Sequence, residues 1–261
     1  MKSRFYEIAI QIIWFSLLLI IYILFSYFYP KGLWSSSIGT VLIVLLCFLN
    51  WNKDCIKISG LNLNFMQIIK SLVLAGIIII SSLLIIRYIA EKHNITIHSS
   101  MWRYYYHDAF YTLNEEIVIG ALILYFLIGK IKITPILSSI GLALFFSLIH
   151  FVFYKWLFTD KGIIHITALI SLFLIGLARN NLILINGHIG YSWALHFGWI
   201  AIMFGSIHLN DNTHEAISEL DRFNIYLGSK EILVISILLA LISFFVWYKK
   251  NNFRSSYIIN N

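Results

Sequence analysis

Charge is what this sequence has least of. Only 12% of its 261 residues are Asp, Glu, Lys or Arg, 60% are hydrophobic, and the mean hydropathy is +0.83. Soluble domains carry roughly 25% charged residues, so a water-exposed globular chain is excluded and an integral membrane protein is expected. Two prolines and 14 glycines leave the apolar runs nearly unbroken, which favours helices. A closed barrel also satisfies its backbone in lipid. Its strands would alternate polar and apolar over about ten residues, and runs such as Ile77 to Ile86 do not alternate. The two cysteines, Cys47 and Cys55, have neither the spacing of a metal knuckle nor that of a CxxC redox pair, and are read as ordinary thiols. HExxH, an internal repeat, a low-complexity tract and a dense basic block are all absent. The net charge of +7 is carried by Lys and Arg scattered at the ends of apolar runs, as snorkelling anchors are. Nucleic acid is therefore not an expected partner; the bilayer is.

A spanning helix needs about 20 apolar residues. On that criterion the chain reads as one all-α domain over 1–261, a polytopic transmembrane bundle of about eight spans. They fall at Ile8–Tyr29, Trp34–Trp51, Ile68–Ala90, Thr112–Gly129, Thr134–Phe158, Ile163–Ala178, Tyr191–Leu209 and Glu231–Tyr248. The sixth is short. The first follows Lys2 and Arg4 but is too long for a signal-peptide core and lacks a small-x-small cleavage site. With Tyr27-Phe28-Tyr29-Pro30 as an aromatic interface belt, it reads as a retained anchor. Lys53 to Phe65 reads as a surface segment, Glu91 to Tyr111 as a polar aromatic connection, and Asn210 to Lys230 as a solvated loop with a short helix. With the N-terminus inside, eleven of the nineteen Lys and Arg fall on the inner side, the arrangement the positive-inside rule prefers. The fourth span then starts toward the outer face. Multi-pass insertion in a bacterial cytoplasmic (inner) membrane is the expected localisation.

Against this background, Glu115 and Glu116 stand out: two adjacent carboxylates at the head of an apolar run with no polar residue until Tyr125. One ionisable side chain in a bilayer costs on the order of 2.5–3.5 kcal/mol on insertion scales. Successive helical residues point about 100° apart, so one glutamate can face a cavity while its neighbour holds a partner. A carboxylate in low dielectric with a like-charged neighbour has its pKa raised toward neutral pH, which suits a base that activates water. The plainer alternative is a polar helix end at the interface. His150 is isolated in the fifth run and His196 in the seventh, among apolar neighbours; each is either a satisfied structural residue or a functional one. His188 lies in a turn-rich connection, Asn186-Gly187-His188-Ile189-Gly190, where a turn or interface role is expected. Consecutive spans are antiparallel, so the glutamates can stand level with His150.

Glu-Glu, then Phe146-x-x-x-His150, then His196, each on its own span, resembles the CAAX-protease and bacteriocin-processing (CPBP, or Abi) family of intramembrane endopeptidases. The resemblance covers roughly Thr112 to Phe204, with 112–204 as the expected catalytic core. The family's motifs are Glu-Glu-x-x-x-Arg, Phe-x-x-x-His and His-x-x-x-Asn. Here Gly120 replaces the Arg and Ile200 replaces the Asn. The first change removes a cation expected to hold the second glutamate. The second removes an amide that could position an oxyanion. Arg103, Arg179 and Asn114 are substitutes by position.

The resemblance implies hydrolysis of a peptide bond in or near the bilayer, on a membrane-associated or lipidated protein or peptide. Glu115 would activate water with His150, Glu116 would orient the site or relay the proton, and His196 would donate to the oxyanion. A divalent metal such as zinc on Glu115, His150 and His196, with water in the fourth place, uses the same residues. The alternatives are a site without a cofactor, a non-catalytic membrane immunity or assembly factor on the same scaffold, and a proton-coupled transporter. The aromatic stretch Trp102 to Tyr111 reads as an interface belt or a guide for an apolar substrate segment.

Overall fold

The apolar runs fold into helices whose bare apolar faces turn outward and whose small and polar residues turn inward. The computed structural model describes residues 2–25, 34–99, 102–152, 164–205, 207–210 and 217–258. Among these, α1 is Lys2–Ile23, α2 is Ser35–Trp51, and α3 is Phe65–Lys92. Next, α4 is the continuous helical stretch 102–131, α5 is Pro135–Val152, and α6 is Ile166–Asn186. Finally, α7 is Gly190–Ile200 and α8 is Lys230–Ile258. Six of the described helical segments are long and apolar enough to cross a membrane: Tyr6–Ile23, Ser35–Ile58, Phe65–Lys92, Tyr104–Ile131, Ile166–Asn186 and Lys230–Lys250. Helix α5 is apolar but shorter. The chain is thus an all-helical integral membrane protein, apart from one small ribbon.

That ribbon pairs β1, Thr96–Ser99, antiparallel with β2, Ile207–Asn210, in register Thr96 to Asn210 through Ser99 to Ile207. It replaces part of two segments read from the sequence as a loop and as the tail of the seventh span. Helix α7 instead passes into a π-helical turn, Ala201–Gly205, before the strand. The ribbon and the Lys92–Glu231 ion pair, 3.0 Å, tie the end of α3 and the start of α8 to one face of the molecule. On the opposite face, Ile189 donates its amide to the Gly60 carbonyl and Lys250 reaches the carbonyl of Ile185.

Local chemistry sets the helix ends. Asn64 and Gln67 form a reciprocal capping box that starts α3. Pro135 opens α5, where its missing N–H costs nothing. Gly187, at φ +71°, closes α6 in the left-handed conformation. The faces divide sharply. On α3, Ile68, Leu72, Val73, Ile77, Ile80 and Leu84 are exposed, while Ser71, Ala75 and Ser82 are buried against other helices. Small residues inside and bulky ones toward lipid is the pattern of bilayer helix packing. Helix α4 is the most enclosed of these six spans: 61% of an 18-residue stretch of it is buried, against 11% in α1 and 17% in α3. It packs on α2, and α6 packs between α5 and α8.

Two boundaries move in ways that matter. The fourth span begins at residue 102 rather than Thr112, because Asp108, Thr112 and Asn114 turn inward and are buried. Glu115 and Glu116 therefore lie mid-helix, about 20 Å from its start at 1.5 Å per residue. The sixth span runs on to Asn186, carrying Arg179, Asn180 and Asn181 into the protein, where partners on other helices accept them. The aromatic belt at Tyr27–Pro30 and the end of the fifth run beyond Val152 lie outside the described residues.

Candidate functional site

The site forms where α4 changes its winding. After Glu115 the helix widens into a π-helical stretch, Glu116–Leu122, a rare element concentrated at functional positions. Both glutamates are buried, Glu116 completely. Each is held from other helices. Glu115 Oε2 accepts a hydrogen bond from the Tyr22 hydroxyl of α1 at 3.0 Å, and its Oε1 accepts one from Arg179 Nη1 of α6 at 3.2 Å. Glu116 Oε1 lies 2.9 Å from His196 Nδ1 of α7 and 3.5 Å from Arg179 Nε. Its Oε2 is buried with no hydrogen-bond partner.

Phe146 of α5 is the hub beneath this cluster. The Arg179 guanidinium carbon sits 4.3 Å from its ring centroid, a cation–π contact favoured by desolvation. The ring of His150 is 4.7 Å from Phe146 and that of His196 is 6.1 Å away, both edge-on. His150 Nδ1 lies 2.6 Å from the carbonyl of Phe146, one helical turn back. A carbonyl only accepts, so Nδ1 carries the hydrogen and a neutral ring keeps its lone pair on Nε2. Glu115, Glu116 and His196 are thus brought into one buried cluster, with the half-buried His150 against Phe146 at its edge.

One cation serves two adjacent carboxylates. Burying unpaired charge in low dielectric is costly, and Arg179 balances one of the two. The second is met by His196, which shares a hydrogen with Glu116 across 2.9 Å. A carboxylate and an imidazole so placed can hold a proton and pass it on, the requirement for general acid–base work.

Two contributors were not assigned from the sequence. Tyr22 lies in an apolar run with no polar neighbour to mark it. Arg179 was a candidate by position only, and the structure places its guanidinium on both glutamates. Asn114, another positional candidate, points the other way: its amide donates to the Ser36 carbonyl at 2.9 Å and accepts from Thr40 Oγ1 at 2.6 Å. The side chain of Arg103 lies outside the described residues. His188 stays in the α6–α7 turn, where its Nδ1 accepts from the Gly190 amide at 3.2 Å. The aromatic stretch becomes the first half of α4. Its His107 stacks on Tyr111, which lies 6.1 Å from Tyr22. Cys47 and Cys55 are both buried free thiols.

Among the described residues no three His, Cys, Asp or Glu side chains are grouped to hold an ion. Glu115 already gives one oxygen to Tyr22 and one to Arg179, and a guanidinium inside the group repels a divalent cation. Compared with protein-family models, curated proteins and solved structures, the chain matches none.

Proposed function

We propose that this chain is an eight-pass intramembrane endopeptidase of the CPBP type, seated in a bacterial inner membrane, that cleaves a membrane-associated or lipidated protein or peptide. The observation that carries the reading is the meeting of Glu115, Glu116, Arg179 and His196, from three helices, midway along the most enclosed span. Eight passes are supported by the two tied faces: with every helix from α1 to α8 crossing once, the β1–β2 ribbon and Lys92–Glu231 fall on one side, and Gly60–Ile189 and Lys250–Ile185 on the other.

In the proposed reaction Glu115, working with His150, takes a proton from water as the water oxygen bonds to the scissile carbonyl carbon. Glu115 keeps capacity for this, because each carboxylate oxygen has two lone pairs and only one is used on each. The carbonyl oxygen becomes an oxyanion. His196, its Nδ1 side anchored on Glu116, presents Nε2–H to that oxyanion when the ring is protonated; such donors are worth about 10²–10³ in rate. As the C–N bond breaks, the proton held by the carboxylate passes to the leaving amine. Glu116 Oε2, buried and unpartnered, is the acceptor through which that proton is relayed. No metal is needed for these steps.

The test compares protein termini in membrane and secreted fractions of three strains: wild type, a deletion, and the deletion complemented with Glu115→Gln. Termini found only in wild type support the reading and name the substrate and bond. If Glu115→Gln restores every terminus lost in the deletion, the protease reading fails and a non-catalytic scaffold takes its place.

A further inference from the structure

We infer that Arg179 supplies from α6 the cation that Gly120 leaves out of the Glu-Glu motif, and that it is the positioning residue that keeps the two carboxylates side by side. The inference rests on the protease reading above.

Its first support is contact. Arg179 is only 1% exposed; its Nη1 donates to Glu115 Oε1 at 3.2 Å, and its Nε lies 3.5 Å from Glu116 Oε1, an ion-pair contact without hydrogen-bond geometry. The plane rests on Phe146, so the fork is fixed in orientation as well as in charge. Two adjacent carboxylates in so enclosed a place repel one another; Arg179 offsets that repulsion from one side while His196 meets Glu116 from the other.

The second support is space. A side chain at position 120 would start 3.4 Å from Glu116 Oε2, so a residue there faces the same carboxylate that Arg179 approaches. That room is taken by Ile183, whose Cδ1 would lie 3.0 Å from a Cβ at 120. Ile183 and Arg179 are four residues apart on α6 and share one helix face. Helix α6 therefore fills the room beside Gly120 and delivers the charge at once. The third support is an unused donor: Arg179 Nη2 is buried without a partner. A buried donor left unmade is costly, and a bound water or substrate carbonyl would relieve that cost.

The experiment uses the full chain in its own membrane and reads the rate at which a Glu115-dependent terminus appears, with Arg179→Gln and Arg179→Lys beside Glu115→Gln. Folding is followed by thermal melting in detergent, and substrate binding by co-purification of the uncleaved substrate. Arg179→Gln is expected to lower the rate about 100-fold, the scale of a misplaced catalytic group, while still capturing uncleaved substrate. Arg179→Lys, which keeps the charge and loses the fork, is expected to keep more than about a tenth of the wild-type rate. The inference is overturned if folded Arg179→Gln keeps more than about a tenth of the rate, if it loses substrate capture together with the rate, or if Arg179→Lys falls below that same tenth. Where Arg179→Gln does not fold, Arg179→Lys decides by the same threshold. If Glu115→Gln restores the termini, the protease reading itself has failed. If Glu115→Gln loses them and Arg179→Gln does not, only the role of Arg179 has.

Discussion

Tyr22 donates its phenolic hydrogen to Glu115 Oε2 at 3.0 Å, across 93 residues of chain. The resemblance to a protease core covers only 112–204, so this bond brings α1 into a site that the motifs alone leave without it. Tyr22 is buried and lies beside Tyr111. Tyr22→Phe keeps the ring and removes one hydrogen bond to a charged group, worth about 1.5–3 kcal/mol. The variant is expected to melt lower in detergent and to process Glu115-dependent substrate about tenfold more slowly, the rate equivalent of roughly 1.4 kcal/mol. Unchanged melting and unchanged processing together would remove α1 from the site.

The two glutamates are expected to differ when neutralised singly. Glu115→Gln removes the proposed base, and loss of general base catalysis costs about 10²–10⁴ in rate. Glu116→Gln leaves that base in place but breaks the anchored His196 pair, so a smaller loss of about 10²-fold is expected, the low end for an oxyanion donor. Pulse–chase of the processed terminus gives both numbers. A larger loss for Glu116→Gln than for Glu115→Gln would exchange the two roles, making the unpartnered Oε2 of Glu116 the base.

The fold was legible where hydropathy alone decides it. Long runs such as Ile68–Ala90 became helices close to the expected limits because nothing in them breaks a helix, and Asn64 with Gln67 marks the start. Glu115, Glu116, His150 and His196 were legible for a related reason: in a bilayer an isolated ionisable residue costs enough to be conspicuous. The start of α4 was not. Trp102 to Tyr111 is polar and aromatic, and only burial of Asp108 and Thr112 against neighbouring helices shows that it continues the span inward. Arg179 was hidden by the same logic. It stands at the expected end of the sixth span, where a cation reads as an interfacial anchor, and its partners lie 63 and 64 residues away in sequence, beyond any local pattern. The β1–β2 ribbon joins two short segments 111 residues apart whose pairing carries no periodic signal.

Gly198 is expected to tolerate no side chain. A Cβ there would lie 2.7 Å from Ile78 Cγ2 and 3.1 Å from the Ala75 carbonyl of α3. That close approach sets how deep α7, and with it His196, sits in the bundle. Overpacking typically costs about 1–3 kcal/mol, and more where backbone must move. Gly198→Leu should lower the melting temperature and abolish processing, because α7 has to retreat from α3. Gly76, next to Ala75 in α3 but with open space around its Cβ position, provides the control: Gly76→Ala should leave both readouts at wild type. Equal behaviour of the two variants would show that α3 and α7 do not meet as closely as the structure has them.

Asn114, next to the glutamates in sequence, is expected to matter for stability and not for chemistry. Its amide donates to the Ser36 carbonyl and accepts from Thr40, pinning α4 to α2 at a fully buried point. Removing one partner of a buried hydrogen bond leaves the other unsatisfied, at about 1–3 kcal/mol, whereas removing both with groups of similar shape is nearly neutral. Asn114→Leu alone should therefore lower the melting temperature. Combining it with Thr40→Val should cost less than the two single losses added, since both substitutions remove the same Thr40–Asn114 bond. The Ser36 carbonyl, which faces Thr40 Oγ1 at 3.0 Å as well as the Asn114 amide, loses both donors in the double variant, which therefore stays less stable than wild type. The melting temperatures of the two single variants and the double in detergent check this directly. If the losses simply add, Thr40 and Asn114 do not share the bond, and what holds α4 against α2 beside the glutamates is packing alone.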